Sequence, residues 1–273
     1  SIDNLIYLYY TKMEISISNI GRAELFSQLF QHVRLFTEHI NLTFDKDRLF
    51  MQSMDSARVS VFELILPSTW FDSYILTSNE PITVGLNVTM LFKVLNTREK
   101  IQEILIKYSS IDNDKLFFEF TCNNKTVFDK RFELPLMEID CELMQIPDTN
   151  SDADLSINSA VFANLINQLK LFGETIEIQC NEDKITLNSI SQESGKMTVD
   201  IGIDDITAFS ITEGENMKLS FALSMLHNIC MYNKISKEVD IYLTANFPMK
   251  IVYNLGDDAT YTFYLAPKIG DVE

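Results

Sequence analysis

Between Ile40 and Val61 apolar and polar residues alternate around a tight Asp/Lys turn, the period-two signature of strands with one buried face. The chain writes the same pattern again from Ile176 to Val199. Asp47, Leu49, Met51 and Ser53 fall on Asp183, Ile185, Leu187 and Ser189 at a constant offset of 136. Two extra residues are then expected in the second turn, so that Arg58, Val59 and Val61 meet Lys196, Met197 and Val199 at an offset of 138. A repeat of this length predicts two similar domains in one chain.

Apolar residues at three- and four-residue spacing predict helices beside these strands. Leu25, Leu29, Phe30, Val33 and Phe36 make one face of a helix over 22–38, and Leu91, Val94 and Leu95 one face of a second over 87–97. A third helix over 158–172 repeats the first at the offset of 136, and the stretch 217–234 answers the second. Strands are expected at 14–18, 103–108, 115–121, 126–134, 239–246, 249–255 and 260–266. Each half therefore reads as an α+β domain with helices on one side of its sheets. The boundaries expected are an extension over 1–12, a first domain over 13–134, a connector over 135–155 and a second domain over 156–273. The connector carries six acids and no Lys or Arg, with prolines at both ends of its first half.

The 273 residues suffice for two cores, and 46% hydrophobic content excludes a disordered chain. No apolar run approaches the roughly 20 residues a bilayer span needs. Cys122, Cys141, Cys180 and Cys230 are scattered, as are His32, His39 and His227, with no metal-ligand spacing or catalytic triad pattern. A hydrolase with paired carboxylates would need two acids converging in a pocket, and the connector acids offer no such fixed pair. No cofactor and no catalysis are expected.

Charge is uneven. The chain carries −17, which repels a phosphate backbone. The four helical stretches nevertheless sum to +4: 0 for 22–38, +2 for 87–100, +1 for 158–172 and +1 for 221–234, leaving −21 elsewhere. Either the helices present one surface to DNA, or their faces are simply mixed and soluble.

The segments LFMQSMDSARVSVFEL (49–64), FDSY (71–74), VGLNVTMLFKVL (84–95), LMQIPD (143–148), NFPMKIVY (246–253) and YLAPKIGD (264–271) resemble the proliferating cell nuclear antigen family of eukaryotic and viral-type DNA sliding clamps. The likeness runs in order over about 14–273, with the same internal duplication. It implies a homotrimeric ring with helices inside and sheets outside, encircling duplex DNA without reading its sequence. Such a ring is not an enzyme. It serves as a processivity factor in replication and repair, tethering a DNA polymerase, and a separate clamp loader opens it. Its place would be the nucleus, or a viral replication compartment. The alternative within the fold is one subunit of a heterotrimeric checkpoint clamp.

Residue by residue, the resemblance places Arg34 and Lys93 at pore positions and Lys170 beside another, with Lys100 and Lys234 as further DNA-facing cations. Asn164, Asn167, Ser224 and Met231 stand where the family usually has basic residues, which implies weaker DNA contact. The family's groove for PIP-box peptides maps to Met54, Val59, Val61, Met144, Ile146, Pro147, Pro248, Tyr264, Leu265, Ala266 and Pro267. Arg58 replaces the usual histidine at its rim. Subunit contacts map to strands near 127–134 and 197–202, with Lys130, Arg131, Phe132, Met197, Val199 and Asp200 as interface residues.

Overall fold

A computed structural model of the chain describes residues 10–268, so residues 1–9 of the expected extension lie outside the described residues. The chain divides into two compact units. The first holds the chain up to Ser53, then Glu63–Leu143 and Gly256–Ala259; the second holds Met54–Phe62, Met144–Leu255 and the chain from Thr260 on.

In the first unit β5 (Ser73–Leu76), β1 (Thr11–Ile17), β7 (Glu103–Ser109), β8 (Lys115–Thr121) and β9 (Lys130–Pro135) are neighbours in that order. A second run places β4 (Ser60–Pro67), β3 (Arg48–Met54), β2 (His39–Phe44) and β6 (Ile82–Asn87) side by side. The second unit repeats both arrangements. Its five-strand run is β14 (Ala208–Ile211), β10 (Ala153–Asn158), β16 (Glu238–Leu243), β17 (Met249–Gly256) and β18 (Ala259–Leu265). Its four-stranded sheet is β13 (Gly195–Gly202), β12 (Lys184–Ser191), β11 (Thr175–Cys180) and β15 (Met217–Ala222). Strands β2 and β11 correspond residue for residue at the offset of 136 that the sequence repeat shows.

The second half of the repeat departs from the expected register. In the first hairpin the Asp55 N–H donates to the Ser60 carbonyl (3.0 Å), closing a turn over 56–59. In the second, Ser191 faces Gly195 across a turn over 192–194. The second turn is thus one residue shorter, not two longer, and the turn that carries Arg58 has one residue that the second lacks.

Among the described residues four helices accompany the strands: α1 (Ile20–Leu29), α2 (Val88–Leu95), α3 (Ser159–Leu169) and α4 (Leu223–Cys230). Three begin on an asparagine whose side chain accepts from the first free N–H groups: Asn19 from Arg22, Asn87 from Met90, and Asn158 from Ala160 and Val161. The fourth begins on Ala222 with no side-chain cap. Helix α1 is shorter than expected, because a separate 3₁₀ turn, Val33–Leu35, follows it. Val33 and Phe36 stay buried across that break, so apolar spacing alone does not reveal it. Ala23 and Phe26 take inward positions, while Leu25 is only half-buried.

Two strand limits also move. Strand β1 includes Thr11 and Lys12, whose carbonyl accepts from the Thr77 N–H (3.0 Å), so the sheet starts inside the segment expected as an extension. Residues 126–129 are not strand. There the Asn124 side chain accepts from the Thr126 N–H (3.0 Å) and hydroxyl (2.8 Å), an Asx turn that ends the extended path before β9 begins.

Candidate functional site

A cavity of about 850 Å³ opens in the second unit. Its lining is Met54 with Arg58–Val61, the connector from Met144 to Ser151, Asp154 on β10, and the ends of the last strands with their turns, carrying Tyr242, Thr244, Phe247, Pro248, Lys250, Tyr264 and Ala266. Local chemistry fixes the first piece. Asp55 is 3% exposed, and its carboxylate accepts from the N–H groups of Ala57 (2.8 Å), Val59 (2.9 Å) and Ser60 (2.5 Å) and from the Ser60 hydroxyl (3.0 Å). Those bonds hold Arg58 in the left-handed region, φ 59°. The last strand is tied to the first piece where the Ala266 N–H donates to the Val59 carbonyl (2.9 Å).

Of the groove residues expected, Met54, Arg58, Val59, Val61, Met144, Ile146, Pro147, Pro248, Tyr264 and Ala266 meet around this one cavity. Leu265 and Pro267 do not line it. For Leu265 the reason is strand geometry: successive side chains point to opposite faces, so Tyr264 faces the cavity and Leu265, 0% exposed, enters the core. Tyr242, Phe247 and Lys250 line the cavity and were not singled out by the sequence. Lys250 lies 5.4 Å from the centre of the Tyr242 ring, its partner across β16 and β17. Burial, with Asp240 and Asp154 nearby, pushes the Tyr242 hydroxyl up from its ordinary pKa. The alternation in NFPMKIVY could have flagged Lys250, two residues from Pro248 on the same side of the strand.

The expected DNA-facing cations divide between the units. Arg34, on its 3₁₀ turn, spreads over the Phe92 ring at 4.1 Å, with Lys93 on α2 and Lys100 in the turn after it. In the second unit Lys170 caps α3 and Lys234 follows α4. All five are exposed and make no ion pair among the described residues. The charge count needs one correction. Arg98, counted as a helix-face cation, is 1% exposed in its side chain and points inward to Glu24 (2.5 Å). Burial lowers its pKa, partly offset by Glu24.

The expected interface residues sit on two terminal strands of the arrangements above. Lys130, Arg131 and Phe132 lie on β9, at one end of its five-strand run, and Met197, Val199 and Asp200 on β13, at one end of its four-stranded sheet. Such ends carry backbone groups available to another strand. Arg131 is exposed beside Glu119 (3.8 Å), and Asp200 accepts from Thr186 (2.7 Å) and Lys184 (3.2 Å), which lowers its pKa.

Among the described residues, no group of three or more His, Cys, Asp or Glu could hold a metal ion, and no helix is long and apolar enough to cross a membrane. Cys180 and Cys230 are buried, and burial pushes the Cys180 thiol up to about 12 and the Cys230 thiol further.

Comparison with known proteins places both halves. The family model "Proliferating cell nuclear antigen, N-terminal domain" matches residues 16–143, and its C-terminal counterpart matches residues 145–268. The chain is 26% identical over 261 residues to the proliferating cell nuclear antigen of Chaetomium thermophilum, covering 94% of this chain and 99% of that protein. In fold it is similar to the crystal structure of proliferating cellular nuclear antigen from Entamoeba histolytica, with a TM-score of 0.84 at 22% identity, over 95% of this chain and 100% of the other.

Proposed function

Since the chain belongs to the proliferating cell nuclear antigen family of DNA sliding clamps, we propose that three copies close into a ring around duplex DNA and that the 850 Å³ groove tethers a polymerase and other replication or repair proteins through PIP-box-type peptides. The groove is the observation that carries this reading. Its apolar lining of Met54, Val59, Met144, Ile146, Pro147 and Pro248 suits a one-turn peptide with aromatic and aliphatic anchors. Ring closure is supported by strand ends of different identity: β9 of one copy pairs with β13 of the next, a head-to-tail contact that closes when its rotation fits. Arg34, Lys93, Lys100, Lys170 and Lys234 then meet phosphates without reading bases. The protein acts topologically and not as an enzyme, a loader opens it, and it works at replication sites in a nucleus or viral replication compartment.

Two measurements test this. Light scattering on the protein alone is expected to give about 94 kDa, three times 31.4 kDa; a mass near 31.4 kDa at every concentration would refute self-closure and favour assembly with other chains. Tyr264→Ala combined with Ile146→Ala is expected to abolish binding of a PIP-type peptide at unchanged mass. Undiminished peptide affinity would refute the groove.

A further inference from the structure

The groove mixes apolar and polar lining, and an exposed cation stands at its rim. The Arg58 side chain is exposed, lines the cavity, and makes no hydrogen bond or ion pair among the described residues. Its backbone is nonetheless rigid, because the buried Asp55 carboxylate binds the N–H groups on both sides of it, at Ala57 and Val59. Of the two cations in the lining, Arg58 is the available one. Lys250 is half-buried over Tyr242, Asp154 accepts from the Ser151 hydroxyl, and Asp148, exposed in the connector lining, is the acid that an incoming carboxylate must avoid. The shorter second turn leaves the other half of the chain without an equivalent of this arrangement.

We propose that Arg58 makes the groove select peptides that carry an acidic side chain next to their apolar anchors. The inference rests on the reading of the groove as a peptide site and names the chemistry of its partner. Two electrostatic effects compete. The net charge of −17 repels an acidic peptide at a distance, but at physiological salt that field is screened beyond about 8 Å. A carboxylate touching Arg58 sits well inside that range and can accept a bidentate, charge-assisted pair. The contact outweighs the distant repulsion once the anchors have docked, because the fixed turn keeps the base of the Arg58 side chain at the rim, and the ordering of its remaining rotamers holds the gain to that of an exposed pair.

The test uses the full chain and labelled synthetic peptides sharing one set of PIP-type anchors. They carry two glutamates before the anchors, two glutamates after them, or two glutamines or two lysines in the same places. At physiological salt one of the glutamate peptides is expected to bind about two- to fivefold more tightly than its glutamine version, the range of an exposed ion pair. That preference should survive Arg58→Lys, disappear in Arg58→Gln, and reverse toward the lysine peptide in Arg58→Glu. It should also shrink in about 1 M salt, where screening acts within about 3 Å. An equal preference in wild type and Arg58→Gln, or none in wild type, overturns the proposal while the groove stands. If no version binds, or if binding survives the Tyr264→Ala and Ile146→Ala pair, the groove reading falls and this inference falls with it.

Discussion

Replacing Arg98 with methionine should separate what stabilises the first unit from what faces DNA. The guanidinium reaches Glu24 (2.5 Å), the Ser27 hydroxyl (3.1 Å) and the carbonyls of Glu99 (3.0 Å), Lys100 (3.3 Å) and Gln102 (2.7 Å). It therefore joins α1 to the turn that leads from α2 into β7. Methionine keeps much of the volume, so the cost is mainly the missing hydrogen bonds, at about 1 kcal/mol net each. Breaking a buried ion pair costs about 3–5 kcal/mol when the abandoned charge stays dry. Glu24 is 41% exposed and can rehydrate, which puts the expected loss at the lower end, about 3 kcal/mol. Against a total stability of about 5–15 kcal/mol this is large. The assay is built in: Trp70 is the one tryptophan of the chain, lies buried in the same unit, and reports its unfolding in urea. Glu24→Gln should cost at least as much, because it leaves the Arg98 guanidinium, 1% exposed in its side chain, without its countercharge. The reasoning fails if Arg98→Met shifts stability by less than about 1 kcal/mol, or if Glu24→Gln leaves stability unchanged. Since Arg98 faces inward, its loss should leave the salt dependence of DNA binding unchanged.

Lys93→Gln should do the opposite. It should leave the urea midpoint in place and flatten the log–log salt dependence of duplex binding by about 0.9 for each phosphate that the lysine neutralises; an unchanged slope would remove Lys93 from the DNA-facing set. Ala222→Asn supplies the side-chain cap that α4 lacks, at a backbone already extended (φ −72°, ψ 118°), and should raise stability by about 0.5–2 kcal/mol. A thermal midpoint that stays level or falls would show that the Ala222 environment cannot seat the amide. Alkaline pH should weaken the fold, because Cys180, pushed up to about 12, and Cys230 stay protonated when folded, whereas unfolded thiols ionise near about 8.5. Their contribution is complete below about pH 8.5 and lost as pH rises toward the folded values. Buried Tyr253 and Tyr261, also raised by burial, extend the loss upward, and a flat thermal midpoint from about pH 8 to 11 would contradict it.

The duplication, the strand-rich α+β class and most element positions were legible because alternation and helical spacing are local signals. Strand β8 falls where the alternation puts it, at Lys115–Thr121, and Asn87 and Asn158 mark helix starts. What escaped depended on direction rather than spacing. Tyr264 and Leu265 are adjacent in sequence and resemblance alike, yet the pleat sends them to opposite faces. Arg98 and Lys93 add equally to a charge count, and only the fold turns one inward. Tyr242 and Lys250 become neighbours through strand pairing, which no single stretch of sequence displays.

The first part of the connector is held by its main chain. The Leu136 N–H donates to the Asp114 carbonyl (2.8 Å), the Met137 N–H to the Gly85 carbonyl (3.0 Å), and the Ile139 carbonyl accepts from the Asn41 amide (3.1 Å). The fit is close enough that a Cβ on Gly85 would stand 2.1 Å from the Met137 carbonyl oxygen. Attachment is thus carried by main-chain bonds to the strands, with the Ile139 side chain packed beside Gly85. Substitutions other than proline at 136–138 leave those main-chain bonds in place, whereas position 85 has no such latitude. Mutational drift can therefore rewrite what the connector displays while leaving where it lies unchanged.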